Sequence, residues 1–215
     1  MGGLRSFDDR LLLDANDLAR HTGWLHPVVV AYAAYGVVLF GLLMVAAVVA
    51  ARRASARTLA AAAWAPLATL LAGGLNQPVG SEVAEGRPYA RFPHLLVLAT
   101  RTSDFSFPSD HAVMAGAAAT GLLLVSRRLG VIAAVAALVM AAARVYIAAH
   151  YPWDVVAGLA LGAAVAGLGW PALRVPLTAV AAWLREQPGL RTFFAEDRAP
   201  GGGAGAGTSW GLVRP

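Results

Sequence analysis

The sequence predicts an all-α, polytopic membrane helix bundle: five or six transmembrane helices preceded by an N-terminal amphipathic helix. Three observations predict it. Only 13% of the 215 residues are charged and 58% are hydrophobic, whereas a soluble domain carries about 25% charged residues. Apolar runs recur at lengths close to the ~20 residues needed to cross about 30 Å of hydrocarbon. The mean hydropathy is +0.61, which points to lipid as the solvent.

Composition also excludes whole classes. There is no cysteine, so neither a disulfide framework nor a thiolate metal site is available. The formal net charge is +5, and all 17 basic residues are arginine. They stand scattered between apolar runs and form no continuous stripe, which argues against a nucleic-acid partner. Membrane orientation and phosphate binding account for them better.

Residues 5–22 mix four Asp and three Arg with a Leu cluster, the pattern of an amphipathic helix at the interface. The acids ahead of the apolar run make it a poor signal peptide. Five apolar runs follow, at 27–51, 58–77, 109–126, 130–149 and 153–173. Ala and Gly fill the later ones, which lets helices approach closely. A sixth segment, 176–184, is too short to span alone and is expected at the interface. The stretch 78–107 is expected to be a long non-helical loop, a usual mark of function. The division that follows is an interfacial segment 1–26, a transmembrane domain 27–185 and a cytoplasmic, largely disordered tail 186–215. Trp24, Trp153, Trp170 and Trp183 fall near span ends, where aromatic belts belong.

Arginine bias sets the orientation. Arg52, Arg53 and Arg57 mark one link, and Arg127 and Arg128 another. Five alternating spans put both on one face, which is then cytoplasmic. The 78–107 loop and the 149–153 link lie on the opposite, extracytoplasmic face.

Ionisable groups within spans are costly and usually functional. Here they converge on the outer ends of spans. Arg87 and Arg144 supply forked donors that match phosphate oxygens. Ser109, after Pro108, is an N-cap opening the third span, and the free N–H groups there favour an anion. Asp110 suits the first turn of that helix. Pro152 fits the first turn of the last span, so Asp154 can reach back to His150. A carboxylate on one imidazole nitrogen fixes the tautomer and frees the other as a nucleophile. His111 is left as proton donor to the leaving oxygen. This set makes a phosphoryl-transfer site built on positioning and charge.

The same residues fall in three stretches: GSEVAEGRP (80–88), PSDH (108–111) and ARVYIAAHYPWD (143–154). They resemble the signature of the type 2 phosphatidic acid phosphatase (PAP2) superfamily, K-x6-R-P, then P-S-G-H, then S-R-x5-H-x3-D. The resemblance covers roughly residues 58–173. It implies an antiparallel helix bundle, a phosphohistidine on His150, Asp154 as its orienter and His111 as general acid. It implies Arg87, Arg144 and Ser109 as phosphate ligands, with Asp110 beside them, and no metal or other cofactor.

Three positions depart from the pattern: Gly80 replaces Lys, Asp110 replaces Gly and Ala143 replaces Ser. Arg91 and Arg101 are the nearby cations available to compensate for the Lys. The run RPYARFPH followed by SFPSDHA resembles the undecaprenyl-diphosphate phosphatases of the bacitracin-resistance type, which implies a lipid phosphate substrate and a bacterial cytoplasmic membrane. Other lipid phosphates, such as phosphatidylglycerophosphate or phosphatidic acid, remain the alternative within the same chemistry. A non-catalytic transport or assembly protein is the alternative outside it. Pro88, Tyr89, His94 and Gln77 are further candidates for substrate contact, with loop packing and span capping as the plainer reading. No H-x3-H or H-E-x2-H spacing suggests a metal site.

Overall fold

The computed structural model describes residues 2–194. They form helices α1 (Gly2–His21), α2 (His26–Ala51), α3 (Ala56–Val83), α4 (Pro88–Arg91), α5 (Asp110–Val125), α6 (Arg127–Tyr146), α7 (Pro152–Glu186) and α8 (Arg191–Phe194), with one 3-10 turn at Gly23–Leu25. The chain is a multi-pass, all-helical membrane protein. Four segments are long and apolar enough to cross a bilayer: Gly23–Ala51, Ala56–Arg91, Arg127–Tyr146 and Pro152–Glu186. α5 makes the fifth traverse with 16 residues, about 24 Å at the helical rise.

α5 is the axis of the bundle and packs against α3, α6 and α7. Its apolar residues are buried by protein: Val113, Ala117, Ala118 and Leu122 are each fully covered. α2 is apolar on every face, yet only Ala33, Gly36, Phe40, Ala47 and Ala51 are buried. The remainder of α2, including Val38, Leu42 and Val45, faces outward as a lipid-solvated surface requires. Two glycines of α7 set its distance from α5. A Cβ on Gly158 would stand 2.9 Å from the Ser109 carbonyl oxygen, and one on Gly162 would collide with the backbone of Val113. This contact draws the N-termini of α5 and α7 together, and with them the residues of the site.

The structure revises two expectations. α3 continues through Pro78 to Val83, so the irregular loop is shorter than 78–107. Around Pro78 the helix is fastened to the start of α5 by the side chains of Asn76 and Gln77. Asn76 Nδ2 donates to the Pro108 carbonyl at 3.0 Å and to Asp110 Oδ1 at 2.6 Å, and Gln77 Nε2 donates to the same oxygen at 3.2 Å. Second, residues 176–184 are not a separate interfacial piece. They continue α7, which runs unbroken past Pro171 and Pro176 for 35 residues. At the start of the expected tail, α8 follows α7, and Arg52 stacks on Phe193 at 5.5 Å. The remainder of the expected tail, 195–215, lies outside the described residues.

α1 is amphipathic as its charge pattern requires. Leu12, Asn16 and Ala19 are buried against the protein, whereas Phe7, Leu11 and Leu18 stay exposed. It is clamped across the 84–109 loop. Asp9 takes a bidentate pair from Arg91 at 2.9 and 2.8 Å, and Asn16 exchanges two bonds with the backbone of Leu96. Asp8 accepts from the backbone N–H of Trp153 at the start of α7.

Candidate active site

The site begins at the sharp corner between α6 and α7. Ala148 turns the chain with a left-handed φ of 57°, a conformation that costs a non-glycine residue about 1 kcal/mol or more. The corner is closed by Ala148 N–H to Val145 O and Ala149 N–H to Arg144 O. It delivers His150, only 2% exposed, into the bundle end.

Each nitrogen of His150 faces a different environment. Nδ1 lies 2.8 Å from the carbonyl oxygen of Ser106. Nε2 faces two guanidinium groups, Arg87 Nη1 at 2.8 Å and Arg144 Nη2 at 3.2 Å. Guanidinium groups only donate. The network therefore assigns the proton to Nδ1 and leaves the lone pair on Nε2. Burial, then the charges of Arg87 and Arg144, push the imidazole pKa well below its ordinary value of 6.5. The ring is neutral at physiological pH, as a nucleophile must be.

Asp154 reaches back toward His150, but differently from the direct clamp expected of an orienter. Its Oδ2 is 3.5 Å from Nδ1. That oxygen accepts shorter bonds, from Ser106 Oγ at 2.5 Å and from the Tyr151 N–H at 2.9 Å. Asp154 holds Ser106, and the Ser106 carbonyl holds His150. Ser106 is fully buried and is further fixed by its N–H to the Glu85 carbonyl at 2.8 Å. Sequence reasoning missed Ser106. Its signal lay in its place two residues before PSDH, where a buried Ser has a carboxylate to satisfy.

Arg87 enters from the loop before α4. Besides His150, it donates to the Ala149 carbonyl at 2.9 Å and to Asp104 Oδ2 at 2.8 Å. Asp104 is a second residue that sequence reasoning missed; nothing in the segment TSD distinguished it from an ordinary turn acid. Although partial burial works against it, hydrogen bonds from Thr102 and Arg87 hold its carboxyl below the usual carboxylate range.

Ser109 occupies the N-cap position of α5 by backbone geometry, yet its side chain makes no capping bond. Its Oγ, together with Arg87 Nε and Arg144 Nε, is buried without a protein partner. Buried donors left unpaired are rare. Here they surround an anion-binding arrangement: two guanidinium groups, a hydroxyl and the free N–H groups of the first turn of α5. Asp110 differs from the expected phosphate ligand. Its carboxylate is bound to Asn76 and Gln77, so it positions the α5 N-terminus, and only its backbone N–H suits a phosphate.

These groups border one cavity of about 320 Å³. Its polar wall carries Arg87, Asp104, Asp110, His111, Arg144 and His150, with Tyr89 at the rim. Its apolar wall carries Val30 and Ala34 of α2 with Leu98 and Ile147. The structure thus brings Arg87, His111, Arg144 and His150 to the cavity, with Asp154 behind His150; Ser109 is fully buried, does not line the cavity, and donates its backbone N–H to the Asp154 carbonyl at 3.2 Å. Gln77 borders a small side cavity with Gly80, Asp104 and Asp110. His94 stands elsewhere, in a separate surface cleft with Arg20 and Asn16. Pro88 is buried at the start of α4 and does not line the catalytic cavity. Tyr89 serves the loop: its hydroxyl donates to the Thr102 carbonyl at 3.0 Å and accepts from the Thr102 N–H at 2.9 Å. Neither Arg91 nor Arg101 fills the place of the absent Lys: Arg91 pairs with Asp9, and Arg101 stacks over Tyr89 at 5.4 Å.

The PAP2 superfamily profile matches residues 61–175, just over half the chain. The chain is 29% identical over 147 residues to the bacitracin transport permease protein BcrC of Bacillus licheniformis, covering 68% of this chain and 71% of that one. It is 33% identical over 81 residues to an undecaprenyl-diphosphatase of Sulfolobus acidocaldarius, covering 37% and 39% respectively. The fold is similar to the crystal structure of a transmembrane PAP2-type phosphatidylglycerolphosphate phosphatase from Bacillus subtilis. That match has a TM-score of 0.62 at 22% identity and covers 80% of this chain and 88% of that one.

Proposed function

Because the chain belongs to the PAP2 superfamily, we propose that it is a lipid-phosphate phosphatase hydrolysing a polyprenyl diphosphate, most specifically undecaprenyl diphosphate, to the monophosphate. The observation that carries the chemistry is the unprotonated Nε2 of His150, aimed between Arg87 and Arg144 at the bottom of a cavity that His111 also lines. Nε2 attacks the terminal phosphorus and forms an N–P bond. The bridging P–O bond breaks, and the departing lipid monophosphate takes a proton from His111. Water then attacks the phosphohistidine, giving its proton to His111, and the N–P bond breaks to release orthophosphate. Arg87, Arg144, Ser109 and the α5 N-terminus balance the charge on the transferring group.

The lipid character rests on the second wall of the cavity. Val30 and Ala34 belong to α2, the helix most exposed to the bilayer, so a headgroup on His150 has an apolar exit for its chain. The diphosphate reading rests on Asp in PSDH, Gly80 in place of Lys, and the resemblance to the undecaprenyl-diphosphatase. Phosphatidylglycerophosphate is the second reading, supported by the likeness to the Bacillus subtilis fold. Arg52, Arg53, Arg127 and Arg128 lie at the bundle end opposite the site, which supports an extracytoplasmic cavity in a bacterial cytoplasmic membrane. Among the described residues no three His, Asp or Glu cluster as metal ligands, and the proposed reaction needs no metal.

Phosphate release from undecaprenyl diphosphate, phosphatidylglycerophosphate and phosphatidic acid, compared at equal surface concentration, tests the assignment. The diphosphate is expected to be turned over fastest, activity is expected to survive EDTA, and overexpression is expected to blunt bacitracin toxicity. Preference for a phospholipid substrate with unchanged bacitracin sensitivity transfers the assignment to the second reading.

A further inference from the structure

One ion pair in the site has no part in the reaction just described. Arg87 Nη2 holds Asp104 Oδ2 at 2.8 Å inside the catalytic cavity. The two partners differ in setting: the Arg87 side chain is 9% exposed and that of Asp104 57%. Arg87 is thus a fixed member of the wall, held from behind by the Ala149 carbonyl and His150. Asp104 sits on the irregular segment between α4 and α5 and reaches in from the solvent side. It is tethered by its neighbour, since Thr102 Oγ1 donates to Asp104 Oδ1. Thr102 is in turn latched to Tyr89, only two residues from Arg87, by its N–H and carbonyl.

A carboxylate oxygen on a guanidinium has the geometry of a phosphate oxygen on the same group. An anionic phosphate on His150 therefore claims the donor that Asp104 holds, and like charges at that distance repel. No lysine is present to retain Asp104 once Arg87 is taken: Gly80, at the family Lys position, borders the side cavity next to it. We propose that Asp104 is an internal stand-in for a phosphate oxygen. It keeps Arg87 aimed while the site is empty, yields to the substrate phosphate, and re-pairs with Arg87 to expel orthophosphate. Asp104 thereby trades affinity for turnover. This rests on the cavity being a phosphate site, as the proposed function requires.

The test uses the full-length protein in detergent, with orthophosphate as probe. Half-saturation is read from thermal stabilisation, so no lipid hydrolysis is needed. Removing the competing charge with Asp104→Asn is expected to tighten orthophosphate binding about two- to fivefold, the scale of a partly exposed ion pair. Thr102→Val, which loosens the tether without touching Arg87, is expected to shift it the same way by a smaller factor. It stands in if Asp104→Asn fails to fold. In turnover assays Asp104→Asn is expected to lower KM and to strengthen product inhibition by the same factor, with kcat reduced. A merely structural Asp104 gives the opposite split, a raised KM with weaker phosphate binding. Equal or weaker orthophosphate binding by both variants overturns the proposal, as does the absence of any response in all three proteins. If no lipid phosphate is hydrolysed by the unaltered enzyme yet Asp104→Asn still binds orthophosphate more tightly, the substrate assignment fails and the role of Asp104 stands.

Discussion

The two sides of His150 are built on opposite plans. On the Nδ1 side, Ser106, Asp154 and Tyr151 form a buried floor in which the ring, a carbonyl, a hydroxyl and Asp154 Oδ2 satisfy one another, with Asp154 Oδ1 buried beside them without a partner. On the Nε2 side, Arg87 and Arg144 form a wall of the cavity, and their Nε groups, like the Ser109 hydroxyl, are buried without a protein partner. The floor is closed and the wall is open. A closed floor fixes one tautomer and one orientation without help from substrate. An open wall leaves donors whose partners arrive with the phosphate. Preorganisation and binding are thus divided between two sets of residues that share one imidazole.

That division ranks the expected consequences of substitution. His150→Ala removes the nucleophile shared by both sides and is expected to lower kcat by about ten-thousand-fold or more; residual activity near that of the unaltered enzyme contradicts the mechanism. Arg144→Ala strips one donor from the wall and is expected to cost about a hundred- to a thousandfold in kcat/KM. Lysine at the same position is expected to recover little, because it lacks the fork. Asp154→Asn tests how the floor works. Where an aspartate holds its histidine directly, amide replacement costs about ten-thousand-fold. Here the Ser106 carbonyl intervenes, so a loss of about ten- to a hundredfold is expected; the larger loss restores a direct clamp. Ser106→Ala leaves that carbonyl in place and is expected to cost about tenfold or less.

The smallest effect is in the pH profile. Burial and the two guanidinium charges depress the His150 pKa below 6.5. A depressed pKa keeps the ring neutral as pH falls through 6.5, so the acid limb of kcat/KM is expected to lie below that value. A limb at or above 6.5 shows that the wall does not exert this field.

The same division explains what the sequence made legible. Arg87, His111, Arg144, His150 and Asp154 were readable because costly charged groups at span ends, at fixed spacing, have few structural explanations. The bundle was readable because the lipid imposes long apolar runs. Ser106 escaped because its contribution is largely a backbone carbonyl, which any residue possesses. Asp104 escaped because an acid in a Thr-Ser-Asp turn looks like solvated loop until Arg87 is seen beside it. His94 follows the plainer of its two readings, since it sits in a separate cleft with Arg20 and Asn16. The continuation of α3 past Pro78 was hidden because the side-chain anchors of Asn76 and Gln77 lie more than 30 residues away, at Pro108 and Asp110.

The most direct measurement is rapid acid-free quenching of the enzyme with a polyprenyl diphosphate radiolabelled in its terminal phosphate, followed by peptide mapping. The account predicts early, alkali-stable and acid-labile label on the peptide carrying His150, absent from His150→Ala. Full turnover with no protein-bound label at any time, or label retained by His150→Ala, contradicts it.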